Sequence, residues 1–206
     1  MPTESDVSTK AAFKVHILPH KGVNYDQQRP RILILGESIY EWASGCLHPN
    51  ILTDLTRSDS FREYHHRVFA RTFQLLTGKR KTEVSKDECW QFWQSVVFCD
   101  YVSTPVGNGP RQPPSEEQWK LAKEEFPELL TRFRPDLVVA LGVRLWCRLQ
   151  SSGVIVEKSG LDRAKLRIPG YECHVFAVYH PSSGRFKPTR DHANYITVLE
   201  DVKRLL

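Results

Sequence analysis

The sequence predicts an α/β fold: a single-domain three-layer α/β/α sandwich with a central, mostly parallel four-stranded sheet. Short apolar runs typical of buried strands alternate with segments of helical periodicity, and 206 residues are enough for one compact domain. Strands joined by helices through right-handed crossovers form a parallel sheet with helices on both faces. We therefore assign residues 1–12 to a polar tail and residues 13–206 to one domain.

Four apolar runs predict the strands. They are residues 32–35 before Gly36, 96–99 before Asp100, 137–141 before Gly142, and 174–179 before His180. Helices are predicted over 60–77, from the capping box at Ser115 onward, over 143–149 and over about 191–206. Pro127 predicts a kink or break in the second helix. The Pro/Gly-rich residues 104–114 predict a loop.

Composition excludes several classes of protein. The net charge of +5 permits a nucleic-acid partner without requiring one. No apolar stretch approaches the roughly 18–20 residues of a membrane span, and the polar N-terminus lacks a signal core, so we expect a cytoplasmic protein. The five cysteines include no C-x-x-C pair, which predicts reduced thiols, no metal cluster and no cofactor.

Three of the predicted strands are followed by chemically active residues. These are Gly36-Glu37-Ser38, Asp100-Tyr101 and His180-Pro181-Ser182. The carboxyl ends of parallel strands meet at one edge of a sheet, where α/β proteins bind their ligands. The sequence therefore predicts a functional site at this edge.

These three motifs, in this order, resemble those of the uracil-DNA glycosylase superfamily. The matching segments are residues 36–40, 97–102 and 180–186, and residues 135–146 are similar to the superfamily's third strand and following helix. The resemblance covers about residues 28–206. It implies an enzyme that extrudes a nucleotide from DNA and hydrolyses its N-glycosidic bond. We expect it to act as a monomer.

The resemblance implies a role for each motif. His180 is expected to donate a hydrogen bond to O2 of a pyrimidine. Ser38 stands where other branches carry Asp or Asn, and serine is a feeble base. Glu37, similar to the Gly-Glu-[Ala/Ser] form of the iron–sulfur branch, is therefore expected to activate water or stabilise the sugar cation, with Ser38 assisting. The missing cysteine pairs separate this chain from that branch.

The segment after His180 is expected to bind DNA. Ser182, Ser183 and Gly184 offer hydroxyls and backbone N–H groups to phosphates, and Lys187 adds a positive charge. Arg185 and Phe186 stand where the superfamily inserts a wedge into the base stack. For Phe186, a plain hydrophobic loop tip is the alternative.

Asp100 departs from the Asn that the superfamily commonly carries there. A carboxylate accepts a hydrogen bond from the N4 amino group of cytosine, and an Asp with a raised pKa could share a proton with N3. This predicts a cytosine-type base, with Tyr40 and Tyr101 also assigned to base recognition. Tyr40 or Trp42 could stack on the flipped base.

A glycosylase for plain cytosine would be lethal to its host, so a C5-modified phage cytosine and an antiviral role are the hypothesis. Residues 21–26 and 104–114 would then frame a larger pocket. Tyr40 conflicts with this hypothesis, because the uracil-specific branch uses a Tyr at this position to exclude C5 substituents.

Alternatives remain at this stage. One is a repair glycosylase for uracil or another deaminated base, and another is a DNA-binding relative without catalysis. A third is an esterase with Ser38 as nucleophile, which would need an Asp-x-x-His motif that the chain lacks.

Overall fold

The computed structural model describes residues 16–40, 49–57, 67–107 and 112–206. Within these ranges the strands are β1 (His20–Lys21), β2 (Ile32–Gly36), β3 (Val97–Asp100), β4 (Leu137–Leu141), β5 (Ile155–Lys158), β6 (Arg163–Ile168) and β7 (Tyr171–Val178). The helices are α1 (Ile51–Arg57), α2 (Arg67–Thr77), α3 (Lys86–Trp93), α4 (Glu116–Phe133), α5 (Val143–Gln150) and α6 (Pro188–Lys203).

The sheet is mixed and has seven strands within the described residues, in the order β1-β3-β2-β4-β7-β6-β5. Its central strands β3, β2, β4 and β7 are parallel. β1 pairs antiparallel with β3, while β6 and β5 extend the sheet beyond β7 as antiparallel strands. The α/β class and the single domain are confirmed. The prediction of a four-stranded, mostly parallel sheet is wrong, because it covers only the parallel centre.

The strands that the prediction missed have no continuous apolar run. In β6, the buried Ala164, Leu166 and Ile168 alternate with basic residues that are partly or fully exposed. A period of two is the pattern of a strand with one buried face, and a search for buried runs does not detect it. β5 is mostly exposed, and β1 has two residues.

The core lies on both faces of the sheet. Leu33 and Leu35 of β2 pack into one cluster, together with buried residues of α4 and α5. Ile34, between them, packs into a second cluster with buried residues of α1, α2, α3 and α6. Because successive side chains of a strand point to opposite faces, helices cover the sheet on both sides and form the outer layers.

Helix α4 follows its predicted start. Ser115 Oγ accepts from the Gln118 backbone N–H at 3.2 Å, and Gln118 Oε1 accepts from the Ser115 backbone N–H at 3.0 Å. The expected break at Pro127 does not occur, and the helix continues to its last residue, Phe133. Pro127 leaves the carbonyl of Lys123 without its helical donor, but Lys123 is exposed, so water can take that place.

The end of α2 and the start of α6 can be compared with the predicted helix bounds. Gly78 terminates α2 with φ +73°, and its N–H donates to Gln74 O at 2.9 Å. The first part of the helix predicted over 60–77 falls on residues outside the described ranges. α6 begins at Pro188, earlier than predicted, because the fixed φ of proline suits the first turn of a helix.

Candidate active site

The parallel strands bring their carboxyl ends to one edge of the sheet. Gly36 at the end of β2 is in register with Asp100 at the end of β3. The chain beyond β2 then runs beside the chain beyond β3, where the Val102 N–H donates to Glu37 O at 2.9 Å. β4 and β7 pair in parallel next to β2, and His180 follows β7 closely. The residues predicted to follow the strands therefore share this edge.

Glu37 is held by an arginine that the sequence analysis missed. Arg144, in the first turn of α5, donates from Nε to Glu37 Oε2 at 2.7 Å and from Nη2 to Oε1. The hydrogen bond to Glu37 raises the pKa of Arg144. The Glu37 side chain is 12% exposed and that of Arg144 is 45% exposed, so the guanidinium covers the carboxylate. Arg144 comes two residues after Gly142, where a predicted strand ends, and this position is the signal in the sequence that could have identified Arg144 as a site residue. Ser38, beside Glu37, is half-buried.

Asp100 is a carboxyl group without a countercharge. Its Oδ1 lies so close to Gly36 that a Cβ on this glycine would be 2.2 Å away. In the part of the chain that the structure describes, it forms no ion pair and accepts no hydrogen bond at its carboxyl oxygens. Burial, and next the charge of Glu37, raise the pKa of Asp100 from 3.8 to about 7. Near neutral pH this carboxyl therefore exists in substantial part as the neutral acid, which can donate as well as accept.

His180 is arranged as a neutral hydrogen-bond donor. The Ser182 backbone N–H donates to His180 Nδ1 at 3.2 Å, and Ser182 Oγ lies 2.7 Å from the same nitrogen. Because Nδ1 accepts, the neutral imidazole carries its proton on Nε2. Burial lowers the pKa of His180. The charge of Arg144 lowers this pKa further, and the charge of Glu37 raises it. We call Glu37, Asp100, Arg144 and His180 the strand-end site.

Arg71 of α2 holds the loop that follows His180, and the sequence analysis missed it as well. Its Nη1 donates to Pro181 O and, at 3.3 Å, to Ser183 O, and its Nη2 donates to Phe186 O at 2.6 Å. Its guanidinium also lies 4.8 Å from the centroid of the Phe186 ring. One planar donor group thus fixes three carbonyls of the loop. No motif marks this arginine in a predicted amphipathic helix.

The residues predicted to bind DNA on this loop differ in exposure. Ser182, Gly184, Arg185 and Lys187 are exposed, and Ser183 is half-buried. Phe186 is fully buried in the core cluster that includes residues of α2 and α6. Phe186 therefore packs in the core, and its ring is not exposed to insert into a base stack. The Arg185 guanidinium lies 6.0 Å from the centroid of the Tyr179 ring and stays accessible to a partner.

The two tyrosines assigned to base recognition lie in different surroundings. Tyr40 is half-buried and forms a parallel bridge with Val106 at the edge that carries the strand-end site. Tyr101 is buried, and its ring centroid lies 5.9 Å from that of Trp119 and 5.1 Å from that of Phe126. Burial raises the pKa of Tyr101 to about 12. The structure therefore places Tyr40 with the site and Tyr101 in the core beneath α4.

The segments expected to frame a larger pocket lie at opposite ends of the sheet. The N–H groups of Gly22 and Asn24 donate to Val96 O and Gln94 O, which precede β3, so residues 21–26 lie at the amino end of the strands. Residues 104–107 lie at the carboxyl end, beside Tyr40. Residues 108–111 of the predicted loop, and Trp42, fall outside the described residues.

Other features of the described residues concern metals, membranes and thiols. They contain no group of three or more His, Cys, Asp or Glu side chains placed to hold a metal ion. None of their helices is long and apolar enough to cross a membrane. Free thiols are present at Cys89, Cys99, Cys147 and Cys173, while Cys46 lies outside the described ranges.

Neither a scan against models of protein families nor a search of curated proteins finds a match to this chain. The chemistry of the strand-end site therefore carries the functional argument.

Proposed function

We propose that the protein is a DNA glycosylase that flips a pyrimidine nucleotide out of DNA and hydrolyses its N-glycosidic bond, leaving an abasic site. The observation that supports this most is the combination of a neutral His180 donor, an ion-paired Glu37 and a half-buried Asp100 at one sheet edge. These are the residues to which the resemblance to the uracil-DNA glycosylase superfamily assigns this chemistry.

His180 serves the leaving group. When the bond between C1′ and N1 of the base breaks, its electron pair stays with the base, and negative charge accumulates on O2. A fixed N–H donor at that oxygen lowers the barrier by about 3–4 kcal/mol. Because burial lowers the pKa of His180 and Nδ1 is occupied as an acceptor, the donor is the Nε2–H of a neutral ring.

Glu37 serves the sugar and the water. A carboxylate has about four lone-pair positions, of which Arg144 occupies two, so positions remain to accept a hydrogen bond from water. Its negative charge also favours the electron-poor sugar that forms as the base leaves. The neighbouring Ser38 hydroxyl can orient the same water.

Asp100 serves base recognition, and its carboxyl favours a cytosine-type base because it accepts from the N4 amino group. A C5-modified phage cytosine, and with it an antiviral role, is part of this proposal. The exposed residues of the loop after His180 would contact the DNA backbone, which stabilises the complex against the cost of flipping. They are Ser182, Gly184, Arg185 and Lys187.

A base-release panel tests the proposal. Purified protein is incubated with duplexes that carry uracil, cytosine, 5-hydroxymethylcytosine or its glucosylated form, and abasic sites are revealed by alkaline strand cleavage. We expect release of a cytosine-type base, and we expect His180→Ala to lower its rate by about 10²–10³-fold. His174→Ala is the matched control, because His174 is a half-buried histidine in register with Leu137, at the start of β4 and away from the site. No abasic site from any duplex, or equal losses in the two variants, would contradict the proposal.

A further inference from the structure

We infer that Asp100 is a general acid that carries a proton into the site and donates it to N3 of a flipped cytosine-type base as the glycosidic bond breaks. This inference rests on the proposed function. It gives a catalytic step to a residue assigned so far to recognition alone.

The surroundings of Asp100 favour a neutral carboxyl group. Glu37, at the end of the adjacent strand, presents a negative charge, and Arg144 is committed to Glu37 through two hydrogen bonds. The preceding Cys99 thiol is neutral, since burial raises its pKa well above the ordinary value. His180 is also neutral, because burial lowers its pKa. No positive charge among the described residues pairs with Asp100, and its raised pKa agrees with this arrangement.

A neutral carboxyl group matches the edge of cytosine. Its O–H donates to N3, and its carbonyl oxygen accepts from the N4 amino group, so both positions are paired. An ionised carboxylate could still accept from N4, but it would face the lone pair of N3 with a second negative oxygen. Uracil presents N3–H and O4, so a neutral acid can pair with uracil too. It cannot transfer a proton to the N3 of uracil, because that nitrogen already carries one.

The proton makes cytosine a better leaving group. As the C1′–N1 bond breaks, its electron pair goes to N1, and transfer of the Asp100 proton to N3 lets the base depart as neutral cytosine. The hydroxyl of a water molecule bonds to C1′, and the remaining proton of that water goes to Glu37. The two carboxyl groups have then exchanged protonation states, so their total charge is unchanged. Exchange with solvent restores both, and one water is consumed for each base released.

Single-turnover base release by the full-length protein tests this step. The duplexes carry cytosine or 5-hydroxymethylcytosine, uracil, or 3-deazacytosine, which has a C–H group in place of N3. Asp100→Asn keeps the shape, a donor and an acceptor but has no proton to transfer, so we expect cytosine release to fall by about 100-fold or more and uracil release by less than about tenfold. Asp87→Asn, an exposed position on α3, is the control and should leave both rates unchanged.

Two further measurements use the wild-type protein: the pH dependence of cytosine release and the release of 3-deazacytosine. Cytosine release should decline by about tenfold per pH unit above about pH 7, as the acid form of Asp100 is lost. Release of 3-deazacytosine should be undetectable.

The outcomes separate the inference from the function on which it rests. Absence of release from every duplex contradicts the proposed glycosylase itself. Release of uracil alone, or cytosine release by Asp100→Asn within about threefold of wild type, leaves a glycosylase but overturns the proton transfer. Equal losses of cytosine and uracil release in Asp100→Asn also overturn it, since they indicate a structural role.

Discussion

At the scale of single residues, the ion pair between Glu37 and Arg144 determines the electrostatics of the strand-end site. It neutralises the carboxylate that would otherwise leave two unpaired acidic groups at adjacent strand ends. Asp100, by contrast, forms no ion pair among the described residues. Two neighbouring carboxyl groups thus have different surroundings: Glu37 is paired with an arginine, whereas burial raises the pKa of Asp100 to about 7.

Replacing Arg144 tests this arrangement. Arg144→Ala leaves the mostly buried Glu37 carboxylate without its two donors, so we expect a loss of about 1–2 kcal/mol in the free energy of unfolding, reduced by the exposure of the arginine. We also expect base release to fall by at least about tenfold, with partial recovery in Arg144→Lys, because lysine offers a single point charge in place of the fork. Urea denaturation and single-turnover base release measure the two effects.

The matched control for Arg144 is Arg148, one turn further along α5. Arg148 also pairs with a carboxylate through two donors, but that partner, Glu116, has a side chain that is 78% exposed. We expect Arg148→Ala to lower stability less than Arg144→Ala does, because solvent screens the exposed pair, and to leave base release unchanged. Equal effects of Arg144→Ala and Arg148→Ala would show that the pair at the site has no special role.

Asp100 should also make stability depend on pH. In the unfolded chain the carboxyl titrates near 3.8, whereas in the folded protein its pKa is about 7. Its stabilising contribution is therefore complete below the lower value and is lost as the pH rises through the upper one. Asp100→Asn cannot ionise, so its stability relative to wild type should increase by roughly 2–3 kcal/mol between pH 5 and pH 8. Urea denaturation at both values measures this, and a constant difference would exclude a raised pKa at Asp100.

At the scale of elements, the site depends on how strands and helices end. Gly36 closes β2 without a side chain, which lets the carboxyl of Asp100 lie against its backbone. Gly142 closes β4 with φ +129°, and a Cβ there would come within 3.6 Å of His180 Cβ. α2 contributes Arg71, which holds the loop that begins at His180. The end of β2 thus accommodates Asp100, and α2 holds the loop that carries His180.

Arg71 offers a test of that positioning. Arg71→Lys keeps the charge but loses the planar fork, so it cannot bind three carbonyls at once. We expect a loss of about 1–2 kcal/mol in the free energy of unfolding and a fall of about tenfold in base release. The measurements are urea denaturation and single-turnover release, with Arg204→Lys, at the exposed end of α6, as the control. Unchanged base release in Arg71→Lys would show that the loop holds its conformation without the fork.

At the scale of the whole molecule, charge is distributed unevenly between the site edge and the antiparallel extension. Arg185 and Lys187 are exposed beside His180, and no acidic residue in the described ranges forms an ion pair with them. On the extension, two basic residues are paired with carboxylates: Lys165 with Glu157 at 2.9 Å, and Arg167 with Glu172 on β7 at 2.5 Å. Arg185 and Lys187 are therefore available to a phosphate backbone beside the strand-end site.

The salt dependence of DNA binding tests that distribution. Each phosphate contact releases counterions, so replacing Arg185 and Lys187 together by Ala should reduce the slope of log affinity against log salt by about 2. The control is the double replacement of Lys165 and Arg167 by Ala on the extension, which should leave the slope unchanged. Fluorescence anisotropy with a labelled duplex measures both. Equal slopes for wild type and the Arg185/Lys187 variant would contradict DNA binding through this loop.

Local patterns in the sequence were enough to predict the four parallel strands at the centre of the sheet. Buried strands such as residues 137–141 carry unbroken apolar runs, and a capping box predicted the start of α4. The antiparallel strands were not predicted, because they carry no continuous apolar run and depend on pairing with a neighbouring strand: β6 with β7, β5 with β6, and β1 with β3. Phe186 was misassigned for a related reason: a phenylalanine in a loop motif has the same local pattern whether its ring is buried or exposed.

By itself, the sequence determines that Glu37, Asp100 and His180 share one edge, because each lies at or just beyond the end of a strand and parallel strands end together. Only the tertiary structure decides what surrounds them. The Glu37–Arg144 pair joins residues 107 positions apart, and the contacts of Arg71 with the His180 loop span up to 115. Burial decides that the pKa of Asp100 rises to about 7 and that the Phe186 ring packs in the core. Contacts over such separations and the exclusion of water arise only from the packing of distant segments, which no local pattern encodes.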